Sequence, residues 1–278
     1  AEGVHVIMLP GPPSECRPMF YERAVPYLAR FSEGVIASHT LKLFGIGESA
    51  MEAQLREQMN AMTNPTLAPY AKEGECELRV TAKASTMEQA QALLLPAVEQ
   101  LKGHFGPLVY GVDVASLEEV VFARLKEKGL TLGTAESCTG GLVAKRFTDL
   151  PGSSQVFKGG IVAYTNEIKE KVLGVSPAVL AEHSAVSPEV ALAMAEGARR
   201  LLGCDIALST TGVAGPDRDD RGHEIGTMFV AIATPEGSHV RALNLGNRPM
   251  RQRQRTHTAH HAFDLARRYL AGLPYENH

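Results

Sequence analysis

An α/β fold with more than one domain is predicted by the length of the chain, its apolar content and the order of its strand-like and helix-like segments. The 278 residues, 44% of them apolar, are enough to bury a core without disulfide or metal cross-links. From residue 116 onward, short apolar runs alternate with amphipathic segments, which is typical of a mixed sheet covered by helices. We therefore predict a mixed-sheet α/β sandwich preceded by a small α+β domain.

The amino-terminal part of the chain is predicted to form two units, residues 1–34 and residues 35–112. In the first unit, the apolar run 4–9 predicts a buried strand and the run 19–30 predicts a helix. A strand with nothing before it suggests a fragment of a longer protein, which a larger intact mass of the source protein would support. The second unit is predicted to contain strands at 35–44, 76–84 and 108–110 and helices at 48–59 and 87–102.

The third predicted domain, residues 113–278, begins with a linker and a capping box. In this box the Ser116 hydroxyl accepts a backbone amide and the Glu119 carboxylate reaches back to the start of the helix. Gly129 is placed to end that helix. The strands predicted beyond it are 130–135, 160–165, 205–210, 227–233 and 240–245, and the predicted helices are 139–149, 188–202 and 248–270.

The composition excludes several classes of protein. Charged residues make up 21% of the chain, and no stretch approaches the roughly 20 apolar residues of a membrane-spanning helix. A net charge of -3 argues against a non-specific nucleic-acid binder. The four cysteines form no Cys-x-x-Cys pair, which argues against a zinc site or a disulfide framework and favours a reducing cytoplasm.

Two glycine-rich segments follow predicted strands, one from Thr134 to Gly141 and one from Ser209 to Pro216. Ligands of α/β sheets collect at the carboxyl ends of strands, where glycine lets backbone amides approach an anion and a following helix adds its dipole. A purely structural role in reversing the chain is an equal alternative for either loop. Two such loops in one domain favour an anionic ligand such as a nucleotide.

Ser137 and Cys138, in the first of these loops, are candidate nucleophiles. Neither loop holds a histidine, but a buried lysine can act as the base, and Lys169 lies just beyond the next predicted strand. Alternatively, Ser137 caps the following helix and Lys169 is a solvated surface residue. Neighbouring residues at a strand end point in opposite directions, so only one of the two candidate nucleophiles can face the site.

Five motifs occur in order along the third domain: Ala135-Glu136-Ser137-Cys138-Thr139-Gly140-Gly141, Pro151-Gly152-Ser153-Ser154, Tyr164-Thr165-Asn166-Glu167-Ile168-Lys169, Ala185-Val186-Ser187 and Thr211-Gly212-Val213-Ala214-Gly215-Pro216. Together they resemble the carboxy-terminal domain of the CinA family, the nicotinamide-nucleotide amidase domain. Residues 9–15 resemble the last loop of the family's amino-terminal molybdopterin-binding-like domain, of which 1–34 would be a remnant. Residues 35–112 resemble its middle KH-like domain.

The resemblance implies hydrolysis of the carboxamide of nicotinamide mononucleotide to nicotinate mononucleotide and ammonia, in pyridine nucleotide recycling. It implies Ser137 as nucleophile, Lys169 as general base, and Tyr164 and Thr211 as residues that hold or polarise the site. Neither metal nor cofactor is implied, no nucleic-acid or membrane partner is expected, and a homodimer is favoured. The predicted substrate-binding residues are Thr139, Gly140, Gly141, Asn166, Gly212, Ala214, Gly215, Arg248 and Arg251.

The sequence departs from the family pattern in three places. The charged run 217–221 replaces further glycines, which bears on loop closure over substrate. The motif required for ADP-ribose pyrophosphatase chemistry is absent from this sequence, so we predict no such activity. The letters Gly-x-x-Gly at 103–106 follow a predicted helix and precede the closing strand, so we interpret them as a turn and not as a nucleic-acid loop.

Other clusters have a functional and a structural interpretation. His257, His260 and His261 could bind zinc on one helical face, but a solvated or capping cluster is favoured. The aspartates in 217–220 could hold magnesium, but an exposed acidic loop is favoured. Six arginines in 248–268 suggest a solvated or oligomer-facing helix. The alternative to an amidase is a catalytically silent nucleotide-binding or interaction scaffold linked to competence or DNA damage.

Overall fold

The computed structural model describes residues 4–31, 34–247 and 250–276, which form two separate β-sheets and the helices that cover them. The amino-terminal sheet lies within residues 35–112 and the other within residues 132–244. The predicted α/β class with a preceding α+β unit is therefore confirmed. None of the described helices is both long and apolar enough to cross a lipid bilayer.

The segment before the first sheet is helical. The helices α1 (Pro13–Met19) and α2 (Val25–Ala29) are joined by one π-helical turn, Phe20–Ala24, so the predicted helix is confirmed and begins earlier. The strand predicted at 4–9 is wrong. Those residues pair with no described strand, and the side chains of Val6 and Met8 are 80% and 87% exposed.

The first sheet is antiparallel and has the order β2-β3-β1-β4, with two helices on one face. The buried side chains of β1 and β3 alternate along each strand and meet the apolar faces of the two helices. We did not predict β2; it is an edge strand, where its proline, Pro69, is tolerated. The elements are β1 (Val35–Leu43), α3 (Glu48–Ala61), β2 (Thr66–Lys72), β3 (Glu75–Ala84), α4 (Met87–Phe105) and β4 (Val109–Val112).

The turn predicted at 103–106 is placed too early. Helix α4 continues through Phe105, and Gly106, with a φ of +49°, ends it. Gly103 therefore lies inside a helix, and the Gly-x-x-Gly letters form no loop between two helices.

The second sheet has the order β6-β5-β7-β8-β9. Strands β6, β5 and β7 are parallel to one another, and β8 is antiparallel to both of its neighbours, β7 and β9. Because three neighbouring strands run the same way, the loops that follow them meet at one edge. The elements are α5 (Leu117–Lys128), β5 (Leu132–Glu136), α6 (Leu142–Thr148), β6 (Phe157–Val162), α7 (Asn166–Lys171), α8 (Pro177–His183), α9 (Pro188–Leu202), β7 (Ile206–Gly212), β8 (Thr227–Thr234), β9 (Gly237–Asn244) and α10 (Arg251–Ala271).

Helices cover both faces of this sheet. On one face α5, α6 and α10 enclose a core that includes Phe147 and Phe263. On the other face α9 packs against the sheet through Val190 and Met194, with α7 and α8 beside it. The mixed-sheet sandwich is thus built as predicted, although helices α7 and α8 were not expected from the sequence.

The three histidines of α10 lie toward the first sheet unit. The rings of His260 and His261 pack on Phe44, with centroid distances of 6.1 and 4.9 Å. The His260 ring also occupies the space where a Cβ at Gly74 would stand. Both rings are substantially buried, so the expectation of a solvated cluster is wrong for them. The described residues contain no group of three or more side chains able to bind a metal ion.

The end of α10 also differs from the solvated helix that we expected. Asp264 is buried and forms ion pairs with Arg267 and Arg268 of the same helix and with Arg241 of β9. Burial of the Asp264 carboxyl favours its neutral form, but the three guanidinium groups outweigh that effect and lower its pKa. Arg267 also donates to the backbone oxygen of Pro107, which ties α10 to the end of the first sheet unit, residues 35–112.

Candidate active site

The loops after β5, β6 and β7 meet at the carboxyl edge of the second sheet and bring several predicted site residues together. Ser137 follows β5 directly, and its amide donates to the Thr210 carbonyl oxygen at 2.9 Å, which extends the pairing with β7 by one residue. This bond fixes the backbone of Ser137 on a buried, rigid strand end.

Lys169 is the residue that meets Ser137. It lies in α7, whose amino terminus is capped by the Thr165 hydroxyl. Its Nζ is 3.1 Å from Ser137 Oγ and 3.3 Å from the backbone oxygen of Tyr164. The Lys169 side chain is 1% exposed and forms no ion pair with any carboxylate of the described chain.

The burial of Lys169 has a chemical consequence. Removing an ammonium group from water disfavours its charged form, so burial lowers the pKa of Lys169. A larger fraction of the lysine is then a neutral amine at a given pH. A neutral amine at hydrogen-bonding distance from a serine hydroxyl is able to accept its proton.

Cys138 has different surroundings. Its side chain packs with Ala214 and Met228, and burial raises the pKa of its thiol to about 12. A raised pKa disfavours the thiolate, which is the nucleophilic form of cysteine, so burial opposes a nucleophilic role for Cys138. Of the two candidate nucleophiles, Ser137 is therefore the one in contact with the lysine.

Glu136 is a buried carboxylate that the sequence analysis did not single out. It accepts hydrogen bonds from the Val143 amide at 3.0 Å, the Ala144 amide at 2.8 Å and the Thr139 hydroxyl at 2.7 Å. The amino terminus of α6 is thus already occupied by this carboxylate, which corrects our expectation that its dipole is free for a ligand. The only signal was an acidic residue at the end of a buried strand.

The turn between Ser137 and α6 presents unused backbone amides. Gly140 and Gly141 have φ values of +59° and +92°, a conformation that glycine adopts without strain. The Gly140 amide donates to the backbone carbonyl oxygen of Ser137 at 3.1 Å. Within the described ranges the amide of Gly141, a partly exposed residue, donates no hydrogen bond, and it is available for an oxyanion beside Ser137.

Tyr164, Arg251 and Gly215 form a second group at the same edge. Arg251 donates to the Tyr164 hydroxyl at 2.9 Å and to the Gly215 oxygen at 2.7 Å, so it joins the loops after β6 and β7. The Tyr164 ring is more than half exposed. An exposed ring and a guanidinium at the rim of the site are suited to contact a ligand.

The remaining predicted residues have different surroundings. The Thr211 hydroxyl donates to the Ala185 oxygen at 2.6 Å, and this bond holds the turn before α9 against the end of β7. At Gly212, a Cβ would lie 2.2 Å from Met228 Sδ, so close packing requires glycine there. Asn166 is an exposed first residue of α7. Arg248 lies outside the described residues.

Arg255 is a second residue that the sequence analysis missed. Its Nε and Nη2 donate to the Thr139 oxygen at 3.2 and 2.6 Å. The signal was its position four residues after Arg251 on a predicted helix, which places both side chains on one face.

The charged run 217–221 is held by local interactions. The Asp219 carboxylate accepts from the amides of Arg221 and His223 and from the His223 ring. Burial alone would raise the pKa of Asp219, but these hydrogen bonds lower it. Arg218 pairs with Glu224, and Arg221 donates to the Ala181 oxygen at 2.8 Å, so the loop is held both internally and against α8.

Fold and site together define an α/β protein with a serine–lysine pair at the carboxyl edge of a mixed sheet. A family model described as the CinA C-terminal domain matches residues 114–270, and one described as the damage-inducible protein CinA KH domain matches residues 38–111. The chain therefore belongs to the CinA family.

Named relatives agree with this assignment. The chain is 47% identical over 272 residues to a putative competence-damage inducible protein of Caldanaerobacter subterraneus, and 44% identical over 271 residues to a CinA-like protein of Dictyoglomus turgidum. Each match covers 98% of this chain but only 65% and 66% of the relatives, so the chain spans about two thirds of their length.

Solved structures are similar to somewhat more than half of the chain. The competence/damage inducible protein CihA of Agrobacterium tumefaciens is 33% identical with a TM-score of 0.51, and the match covers 53% of this chain and 90% of that one. A CinA superfamily protein of Klebsiella pneumoniae is 28% identical with a TM-score of 0.54, covering 57% of this chain and 99% of that one.

Proposed function

We propose that the chain is an amidase that hydrolyses the carboxamide of nicotinamide mononucleotide to nicotinate mononucleotide and ammonia. The observation that carries the proposal is the 3.1 Å contact between Ser137 Oγ and the buried Lys169 Nζ. The motifs around both residues resemble the nicotinamide-nucleotide amidase domain, and the family membership of the chain supports the transfer of that activity.

The chemistry begins with attack by Ser137. Its oxygen bonds to the carboxamide carbon while neutral Lys169 takes the hydroxyl proton, and the carbonyl oxygen becomes an oxyanion. The unpaired amide of Gly141, in the turn after Ser137, stabilises that charge. Protonated Lys169 then gives its proton to the departing nitrogen, the C–N bond breaks and ammonia leaves an acyl-serine ester.

Water completes the cycle. Lys169, neutral again, takes a proton from water as the water oxygen attacks the ester carbon. The bond between that carbon and Ser137 Oγ breaks, the proton returns to the serine, and nicotinate mononucleotide is released. Every proton is carried by the same lysine, and no atom changes its oxidation state.

Recognition of the nucleotide falls to the rim of the site. Arg251 is a cation that joins two of the three loops, which suits it to a phosphate group. Tyr164, beside it, presents an exposed ring for the pyridine. We keep the three predicted domains, 1–34, 35–112 and 113–278, and a homodimer as parts of this proposal; light scattering of the purified chain tests the dimer.

The test is ammonia release from nicotinamide mononucleotide by the purified chain. We expect turnover, loss of turnover in Ser137→Ala with nucleotide binding retained, and turnover in Cys138→Ala. Activity that survives in Ser137→Ala and disappears in Cys138→Ala would transfer the nucleophile role. A chain that binds the nucleotide and releases no ammonia would favour the interaction scaffold instead.

A further inference from the structure

Arg255 reaches the nucleophile loop from a distant part of the chain. It lies in the second turn of α10, 116 residues after Thr139, and both Nε and Nη2 donate to the Thr139 oxygen. The same oxygen accepts from the Leu142 amide at 3.2 Å. One carbonyl group is thus held by a charged fork and by the start of α6.

The peptide group that contains this carbonyl also contains the Gly140 amide. That amide donates to the backbone carbonyl oxygen of Ser137 at 3.1 Å. Because a peptide group is planar and rigid, the orientation of its carbonyl fixes the orientation of its N–H. A charged donor on the carbonyl also polarises the group and strengthens the hydrogen bond that the N–H gives.

Glycine gives the turn conformational freedom directly after this carbonyl. Gly140 and Gly141 both have left-handed φ values, and glycine is free to leave them. The Arg255 guanidinium lies over Gly140, where a Cβ would be 3.5 Å from Nη2. Arg255 therefore adds a charged interaction from a distant helix to the hydrogen bonds that the Gly140 and Leu142 amides make within the turn.

We propose that Arg255 is a positioning residue, which orients Ser137 toward Lys169 through the peptide group between Thr139 and Gly140. This inference rests on the proposed amidase function, and it assigns Arg255 a role in the reactivity of the serine and none in holding the nucleotide.

The experiment compares Arg255→Met and Arg255→Lys with Arg253→Lys, a control on the same helix whose side chain lies at the cavity next to the first sheet unit. Two rates are measured: turnover of nicotinamide mononucleotide, and covalent labelling of Ser137 by phenylmethanesulfonyl fluoride, followed by intact mass. Ser137→Ala gives the labelling background. The labelling rate reports the serine whichever amide the enzyme hydrolyses.

We expect kcat of Arg255→Met to fall up to about 100-fold with little change in KM, and the labelling rate to fall in parallel. Arg255→Lys keeps the charge but not the two-pronged hydrogen bond, so it should lie between Arg255→Met and the control. If Arg255→Met does not fold, a lowered kcat and labelling rate in Arg255→Lys still support the proposal.

Two results would overturn it. A rise in KM with unchanged kcat and labelling would make Arg255 a substrate contact, and unchanged values throughout would leave it a packing residue. If the unmodified chain labels at Ser137 but does not hydrolyse the nucleotide, and labelling still falls in Arg255→Lys, the proposed substrate fails while the positioning role stands.

Discussion

The loops after β5 and β7 have similar glycine and hydroxyl patterns but are held in different ways. The β5 loop is fixed by a buried carboxylate, Glu136, and by the guanidinium of Arg255. The β7 loop is held mainly by its own strand pairing, by Thr211 and by Arg251 at its rim. A buried carboxylate therefore supports the loop that carries the proposed nucleophile, whereas the ion pair of the β7 loop, Arg218–Glu224, is exposed.

The largest effect is expected from removing the base that serves the β5 loop. Lys169→Met should lower ammonia release about 1000-fold, because proton transfer by a positioned side chain contributes on that order. Lys171→Met is the matched control, since Lys171 lies on the same helix, is exposed and pairs with Glu167. A Lys169→Met variant with full activity would contradict the mechanism.

The same lysine predicts the pH dependence. Its pKa is lowered from 10.5 by burial, and only the neutral amine accepts a proton. Activity should therefore rise with pH and level off above the lowered pKa, in a range below 10.5. A kcat/KM profile that falls across this range would contradict a lysine base.

A smaller but still large effect is expected at Glu136. Glu136→Gln replaces one acceptor oxygen by an NH2 group that faces the Val143 or Ala144 amide, and an unsatisfied buried donor costs about 1–3 kcal/mol. Urea unfolding should show this loss, and ammonia release should also fall. Glu167→Gln, on the exposed face of α7, is the control. Equal stability of both variants would show that the charge on the β5 loop is dispensable.

The corresponding change in the β7 loop should affect activity less. Thr211→Val removes the hydrogen bond to the Ala185 oxygen and leaves that oxygen unpaired, which costs about 1–3 kcal/mol of stability. Because the contact holds a turn and not the nucleophile, kcat should change less than in Glu136→Gln. A larger loss of kcat in Thr211→Val would reverse the comparison between the loops.

The smallest effect is expected at the contact between α10 and the first sheet unit, and it concerns stability. Burial first, and then the charges of Arg146 and Arg241, lower the pKa of His260 to about 3 and of His261 to about 4. While α10 contacts the first sheet unit, both rings are therefore neutral. If the contact opened, the two histidines would become protonated near their ordinary pKa of 6.5.

This difference gives the sign of the pH effect. The stabilisation is complete above about pH 6.5 and is lost progressively toward pH 4, because the separated state binds more protons there. The protection factor for amide hydrogen exchange at the β2–β3 turn, which corrects for the slower intrinsic exchange at low pH, should fall as the pH is lowered from about 6.5 to 4. An unchanged protection factor would show that the histidines do not control docking.

The sequence predicted the strands of residues 113–278 better than those of residues 1–112. β5 and β7 were found within one or two residues, because each follows a glycine that ends a helix, Gly129 and Gly203. The edge strand β2 contains Pro69, and the run 4–9 is apolar but has no described partner strand. Both errors arise because pairing, and not local composition, decides what such segments become.

The site was predictable to a similar limit. Ser137 and Lys169 were identified from motifs, since both stand next to strand ends that a parallel sheet brings together. Glu136 and Arg255 were missed, because their importance lies in which backbone groups they satisfy. Those groups are known only after the turn between them has folded.

Helix α10 contacts the site although it lies far from Ser137 along the chain. Its first turns support the reactive centre through Arg251 and Arg255, and its later turns anchor it in the protein interior through Asp264. A chain shortened at residue 247 would keep the serine and the lysine in sequence but lose both arginine braces. Any smaller catalyst engineered from this scaffold must therefore retain the last segment, however remote it is from the reacting atoms along the polypeptide.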